Sequence, residues 1–152
     1  MNNFVYKIAD KTDLKTMLDI RFEMLKNVNN LQKDYKFPDE FIDSTRRYFE
    51  QGDQTTVLAF ANDKAIGCAT MSYIEMMPTF SHPTGRRGHL MNVYTNATYR
   101  KHGIGKAMVL MLIEDAKKNG ATEISLDATD MGRYLYKSLG FVTNEEGMLM
   151  NL

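Results

Sequence analysis

Apolar positions in the first part of the chain recur at helical spacing. Leu14, Met17, Leu18, Phe22 and Leu25 share one face, which predicts a helix packed against a sheet. Thr12 stands where a cap would open that helix, and Met1–Lys7 reads as an opening strand with no apolar signal core. Asn27, Asn29 and Asn30 break the pattern. A second helix is expected after Phe37-Pro38, with Asp39 and Glu40 in its first turn, where the helix dipole favours acids. Phe41, Tyr48 and Phe49 would form its buried side. The period then shortens to that of strands. Thr55–Ala61 and Ala65–Tyr73 read as a hairpin turning at Asn62-Asp63. A loop over 76–88 with Pro78, Pro83 and two glycines follows, and then a strand over Leu90–Thr95. From Ile104 to about Lys118 the apolar run Ala107–Ile113 has no polar break, so this helix should be buried over much of its circumference. Asn119-Gly120 stops it, both residues tolerating a left-handed cap. A strand over Ile124–Ala128, a short helix over Met131–Leu139 closed by Gly140, and two short strands end the chain. The order β-α-α-β-β-β-α-β-α-β-β predicts a mixed α/β sheet with helices on its faces and one parallel pair across 90–128.

Composition narrows the classes. A chain of 152 residues, 43% hydrophobic and 25% charged, is expected to form one domain over 1–152 with a normal core. Nineteen basic and nineteen acidic side chains cancel, so neither nucleic acid nor an anionic membrane is an expected partner. No apolar run reaches bilayer-spanning length. The single cysteine, Cys68, cannot form an internal disulfide and suits a reducing, cytoplasmic setting. Between Gly67 and Ala69 in a strand, it reads as a buried inert thiol. His82, His89 and His102 lack metal-ligand spacing, and no metal is expected.

The chemistry concentrates where the strand Val93-Tyr94-Thr95 runs through Arg100-Lys101-His102-Gly103-Ile104-Gly105-Lys106 into a helix. A strand–loop–helix junction presents free backbone N–H groups at the positive end of a helix dipole, a site for phosphate or pyrophosphate. Gly103 and Gly105 remove Cβ atoms that would hold an anion off, and Arg100, Lys101 and Lys106 add charge. An ordinary helix start is the plain alternative. A Walker loop fits poorly, because Arg100 stands five residues before Gly105 and Ala107 follows Lys106. A dinucleotide fingerprint lacks its third glycine at Met108, and too little chain follows Asp127 to complete its sheet.

Arg100–Gly105 resembles the [QR]-x-x-G-x-[GA] loop of the GNAT superfamily of N-acetyltransferases. The later stretch Asp127–Phe141, with Leu135-Tyr136-Lys137-Ser138-Leu139-Gly140-Phe141, is similar to that family's L-Y-x-x-x-G-F motif. The resemblance runs from about Thr56 to the C-terminus and covers the first fifty residues in outline. It implies a GNAT-like fold, a mostly antiparallel central sheet splayed between its fourth and fifth strands, with helices on both faces. It implies acetyl-CoA as co-substrate, its pantetheine along Val93, Tyr94 and Thr95 and its pyrophosphate on Arg100, Lys101, His102, Gly103, Ile104, Gly105 and Lys106. It also implies direct acetyl transfer to a primary amine, with Tyr136 as the acid for the departing thiolate. A phenol of reference pKa about 10 stays protonated at neutral pH. Tyr134 lies on another face of the same short helix. For the general base Glu75 is preferred to His82 and His89, because it follows a strand and opens the long loop; delivery through water stays open. Relatives often carry proline at the position of Ala97 and glycine at that of Lys101.

The acceptor is expected to be a small-molecule or peptide amine, in a pocket walled by Tyr35, Phe37, Met76, Met77 and Phe80. A homodimer is left open. Two other classes remain: an acyl-CoA-binding sensor without turnover, and an interaction domain docking a partner on Met76, Met77 and Phe80.

Overall fold

The computed structural model describes residues 3–152. Its elements are β1 (Val5–Ile8), α1 (Leu14–Val28), α2 (Asp39–Gln51), β2 (Gln54–Ala61), β3 (Lys64–Glu75), β4 (Arg86–Thr95), α3 (Ile104–Lys118), β5 (Ile124–Leu126) and α4 (Asp130–Ser138). The strands form one sheet in the order β1-β2-β3-β4-β5. All pairs are antiparallel except β4–β5, which the α3 crossover makes parallel. The fold is therefore the mixed α/β sheet with one parallel pair that the element order predicts, and mostly antiparallel as the family resemblance implies.

Alternation along β2 and β3 divides the interior in two. Val57, Ala59, Ala69, Met71 and Tyr73 face α3, where Ile104, Met108, Val109 and Leu112 complete one buried cluster. Leu58, Cys68 and Tyr94 face the other way and join Met17, Leu18, Ile20 and Met24 of α1 and Phe49 of α2. The apolar run of α3 is not buried all round: Leu110 stays 45% exposed. The hairpin turn falls on Asn62 and Asp63, at φ 49° and 63°, the left-handed pair that a two-residue turn between twisted strands requires.

Several boundaries differ from expectation. Asp10, not Thr12, opens the first helical segment: its carboxylate accepts from the Thr12 amide at 2.8 Å and closes a capping box with Asp13. β4 begins at Arg86, four residues early, so the long loop shortens to 76–85. Arg86 and Arg87 are tolerated in a strand because they pair with Asp53, Glu75 and Glu123 across the sheet rim. The two closing strands do not form. Asn144-Glu145-Glu146-Gly147 interrupts the apolar pattern, and β5 offers only three residues to pair with, so Val142 and Met148–Met150 remain exposed.

Candidate functional site

β4 and β5 pair at only three rungs, Gly88–Ile124, His89–Ser125 and Leu90–Leu126. β4 then runs on to Thr95 with no partner on that side. The parting coincides with a bulge: the β3–β4 register shifts between Cys68 and Thr70, and Asn92 adopts φ 59°. Asn92 is held from three directions. Its Nδ2 donates to Thr70 Oγ1 at 3.1 Å, its Oδ1 accepts from Arg21 Nη1 at 3.1 Å, and its carbonyl accepts from the Cys68 thiol at 3.2 Å. Val93, Tyr94 and Thr95 thus lie on a strand edge open to an extended ligand. The Tyr94 ring itself is buried on the α1 side, its hydroxyl accepting from Asn27 Nδ2 at 2.8 Å.

β4 leads into the glycine segment through a 3-10 turn at Ala97–Tyr99 capped by Asn96. The Arg100 amide reaches Ala97 O at 3.4 Å, and the next backbone-bonded amide of this loop is that of Ala107, to Gly103 O at 3.0 Å. Residues 101–106 between them present six amides with no acceptor among the described residues. Lys101 and Gly103 both have positive φ, 65° and 76°, which turns successive N–H groups to one side. Arg100, Lys101 and Lys106 are exposed there, and Arg100 Nε donates to Thr95 O at 3.1 Å. His102 is exposed as well, its Nδ1 within 2.8 Å of Arg100 O and its ring edge-on to Phe4. Ile104 is buried in the α3-side core.

The second motif meets the first. A Cβ on Gly105 would sit 3.7 Å from Leu135 Cδ2, so α4 docks against the opening turn of α3. Thr129 caps α4 by accepting from the Gly132 amide at 3.2 Å. A Cβ on Gly132 would come within 3.0 Å of the Tyr136 ring, so glycine there leaves the ring its place. Tyr136 packs edge-on to Phe141 at 5.9 Å and against the α3-side core. Burial raises its pKa above the ordinary phenol value, and its hydroxyl has no hydrogen-bond partner among the described residues. Tyr134 is 86% exposed.

Two open clefts flank these elements. One, of about 920 Å³, runs along the outer edge of β5 beneath Tyr136. The other, of about 1010 Å³, lies between α1, the 31–42 segment and the end of β4, and includes Glu23, Tyr35, Phe37, Tyr94 and Arg100. Glu23 Oε1 accepts from Asn96 Nδ2 at 3.0 Å.

The remaining expected residues are not all brought here. Glu75 pairs in register with Arg86 and binds its guanidinium at 3.0 Å. Arg86 and Thr95 are the two ends of β4, so Glu75 stands roughly 30 Å of strand away from the glycine loop. Met76, Met77 and Phe80 project into solvent from the same distal loop, whereas Tyr35 and Phe37 do line a cleft beside β4. His82 is fixed by Thr122 and Glu123 at that distal end. His89 sits on the last rungs before the strands part, with Nδ1 2.8 Å from Ser125 Oγ and Nε2 3.8 Å from Asp127 Oδ2. Cys68 is buried, and desolvation pushes its thiol up to about 12. Sequence reasoning missed Arg21 and Asn92. Asn92 left a usable signal, since an asparagine inside an apolar strand favours a left-handed bulge; Arg21 looks like any polar helical position.

No helix among the described residues is long and apolar enough to cross a membrane, and none of their His, Cys, Asp and Glu side chains cluster to hold a metal. The acetyltransferase (GNAT) family model matches residues 22–141. A glucosamine 6-phosphate N-acetyltransferase of Trypanosoma brucei brucei is 28% identical over 89 residues, 59% of this chain and 58% of the relative. The match thus spans just over half the length of that curated protein. A Clostridium acetobutylicum protein described as a predicted acetyltransferase, solved with acetyl-CoA, superposes with a TM-score of 0.86 at 28% identity, covering 98% of this chain and 96% of the other. A glucosamine-6-phosphate N-acetyltransferase of Arabidopsis thaliana shares the fold, with a TM-score of 0.71 at 17% identity over 98% of each chain.

Proposed function

Because the chain belongs to the acetyltransferase (GNAT) family, and is by that membership an acyltransferase, we propose that it moves an acetyl group from acetyl-CoA directly to a primary amine at the parting of β4 and β5. The observation that carries this reading is the junction of three features. These are an unpaired β4 edge, six free amides at the positive end of α3, and a half-buried tyrosine on the helix docked against that same end. The residues suit the coenzyme: amides 101–106 with Arg100, Lys101 and Lys106 hold a pyrophosphate, and the edge from Val93 to Thr95 takes up the amide-bearing arm as an added strand. The coenzyme supplies an acyl group activated as a thioester.

The chain's own residues then have three tasks. The β4 backbone and the glycine loop fix the donor, so that attack becomes an intramolecular event. Tyr136 keeps its proton at neutral pH because burial disfavours the phenolate, and it donates to the sulfur as the carbon–sulfur bond breaks. His89 takes a proton from the acceptor's ammonium group, so that the neutral amine can attack the thioester carbonyl; its support is its place on the last rungs before the splay and its contact with Asp127. Glu75 has no part in this scheme, being engaged by Arg86 at the far rim.

Acetyl-CoA-dependent thiol release across an amine panel tests the reaction, with calorimetric titration of acetyl-CoA run alongside. Glucosamine 6-phosphate, the acceptor in the name of the Trypanosoma relative, belongs in that panel. Binding with turnover of at least one amine supports the proposal. Binding with no turnover of any amine points instead to an acyl-CoA sensor, and no binding removes the assignment of the loop.

A further inference from the structure

Three arginines are partly buried: Arg21, Arg86 and Arg87. Two of them are neutralised, Arg86 by Asp53 at 2.8 Å and Glu75 at 3.0 Å, and Arg87 by Glu123 at 3.0 Å. Arg21 meets no carboxylate among the described residues. Its one hydrogen bond goes from Nη1 to the neutral amide oxygen of Asn92, at 3.1 Å. A guanidinium has five donors, and removing part of its hydration without an anion is costly. None of its other nitrogens is both buried and unpartnered, so they open onto accessible space and are not sealed in the core. Burial lowers its pKa; the Cys68 thiol nearby partly opposes that, and no carboxylate does.

The position of this charge gives it meaning. Asn92 is the second residue past the last β4–β5 rung, at the bulge, next to the Val93–Thr95 edge. Thr70, which holds Asn92, is two residues from Ser72 on β3, and the Ser72 hydroxyl meets Tyr48 of α2. Both therefore face the α1–α2 side. His89 is the register partner of Ser72 and faces that side too. One face of the splay thus carries an unneutralised cation and, a few residues away, a titratable imidazole.

We infer that the acceptor carries an anionic group, a phosphate or a carboxylate, on the same small molecule as its amine, and that Arg21 binds that group beside the bulge of β4. This deepens the acetyl-transfer reading and rests on it. A planar guanidinium matches either oxyanion through two parallel donors, and the Asn92 bond fixes its orientation in advance. Without such a ligand the chain would keep a desolvated cation facing an open strand for no evident return.

Matched amines test it: glucosamine 6-phosphate against glucosamine for phosphate, and glycine against glycinamide for carboxylate. In at least one pair the wild-type enzyme should favour the anionic member at least tenfold in kcat/KM, and which pair does so names the anion. Arg21→Gln keeps a donor for Asn92 and removes the charge. It should erase that preference, leaving acetyl-CoA affinity and turnover of the neutral member within about threefold. Asn92→Asp tests the same point without deleting the arginine, because a carboxylate in place of the amide neutralises the guanidinium in position; it too should erase the preference. Equal use of both members of each pair by the wild type overturns the inference, as does a preference that survives in whichever of the two variants folds. Failure of the wild-type protein to bind acetyl-CoA or to acetylate any amine overturns the underlying reaction instead.

Discussion

At the scale of single residues, the environment of each titratable group decides what it contributes. Tyr136 and Cys68 are both pushed towards their neutral forms by burial, yet only Tyr136 stands beside the proposed site with a free hydroxyl. Tyr136→Phe removes that proton and keeps the packing on Phe141. It should therefore slow kcat by about 10²–10⁴-fold while leaving acetyl-CoA affinity unchanged in a titration. Wild-type kcat in the variant, with chemistry rate-limiting, would make Tyr136 a packing residue. For Cys68 the consequence lies in stability. Its thiol titrates at about 12 in the folded chain against a reference of 9.0. The folded pKa is raised, so the stabilisation is complete below pH 9 and is lost as pH climbs towards 12. Over that window the thiol alone should cost about 1.4 kcal/mol of stability per pH unit. Cys68→Ala should show a shallower decline in urea denaturation at pH 9–11, and an unaltered slope would mean that the thiol ionises in the native state. Below pH 9 thiol reagents should label Cys68 only as fast as the chain opens.

At the scale of elements, the glycine loop couples α3, α4 and the end of β4. Gly105 has room for a methyl group, the nearest atom being Leu135 Cδ2 at 3.7 Å, and its φ is not in the left-handed region. Gly105→Ala should fold normally, whereas Gly105→Glu places an acid among the free amides. Acetyl-CoA affinity of the glutamate variant should fall at least tenfold, equivalent to about 1.4 kcal/mol. A folded Gly105→Glu that binds acetyl-CoA like wild type would dissociate this loop from the coenzyme. Gly67 bears on the same strand from the other side. A Cβ there would meet Tyr94 O at 2.8 Å, so β3 and β4 approach closely just where β4 loses its partner on the other flank.

At the scale of the whole molecule, one sheet separates two cores. Leu112 of α3 and Leu58 of β2 are both fully buried, on opposite faces. Because β2 and β3 feed side chains to both cores, the two cores are expected to unfold together. Leu112→Ala and Leu58→Ala should each cost about 2–5 kcal/mol. Both should shift a single urea transition without changing its slope, by fluorescence and circular dichroism alike. Separate transitions in either variant would show that the α1–α2 layer folds on its own.

The chain's local chemistry already determines most of this architecture. Helical spacing in Leu14–Leu25, alternation from Thr55 to Tyr73, the Asn62-Asp63 turn and the two glycine-bearing motifs each act within a few residues, so they are legible without coordinates. The same holds for the proposed anion-binding role of 100–106, since helix polarity and missing Cβ atoms are local properties. What needed the tertiary structure is whatever depends on which strand end meets which. Glu75 and His89 both stand in β-prone stretches near the same loop, and only the β3–β4 register shows one at the rim and the other beside the splay. The apolar ending Met148–Leu152 reads as a strand until the three-residue β5 is seen to offer it little to pair with. Arg21 is an ordinary polar helical position in one dimension. Only the packing of α1 across β4 reveals it as a cation without an anion, because charge balance is a property of neighbours in space and not of neighbours in the chain.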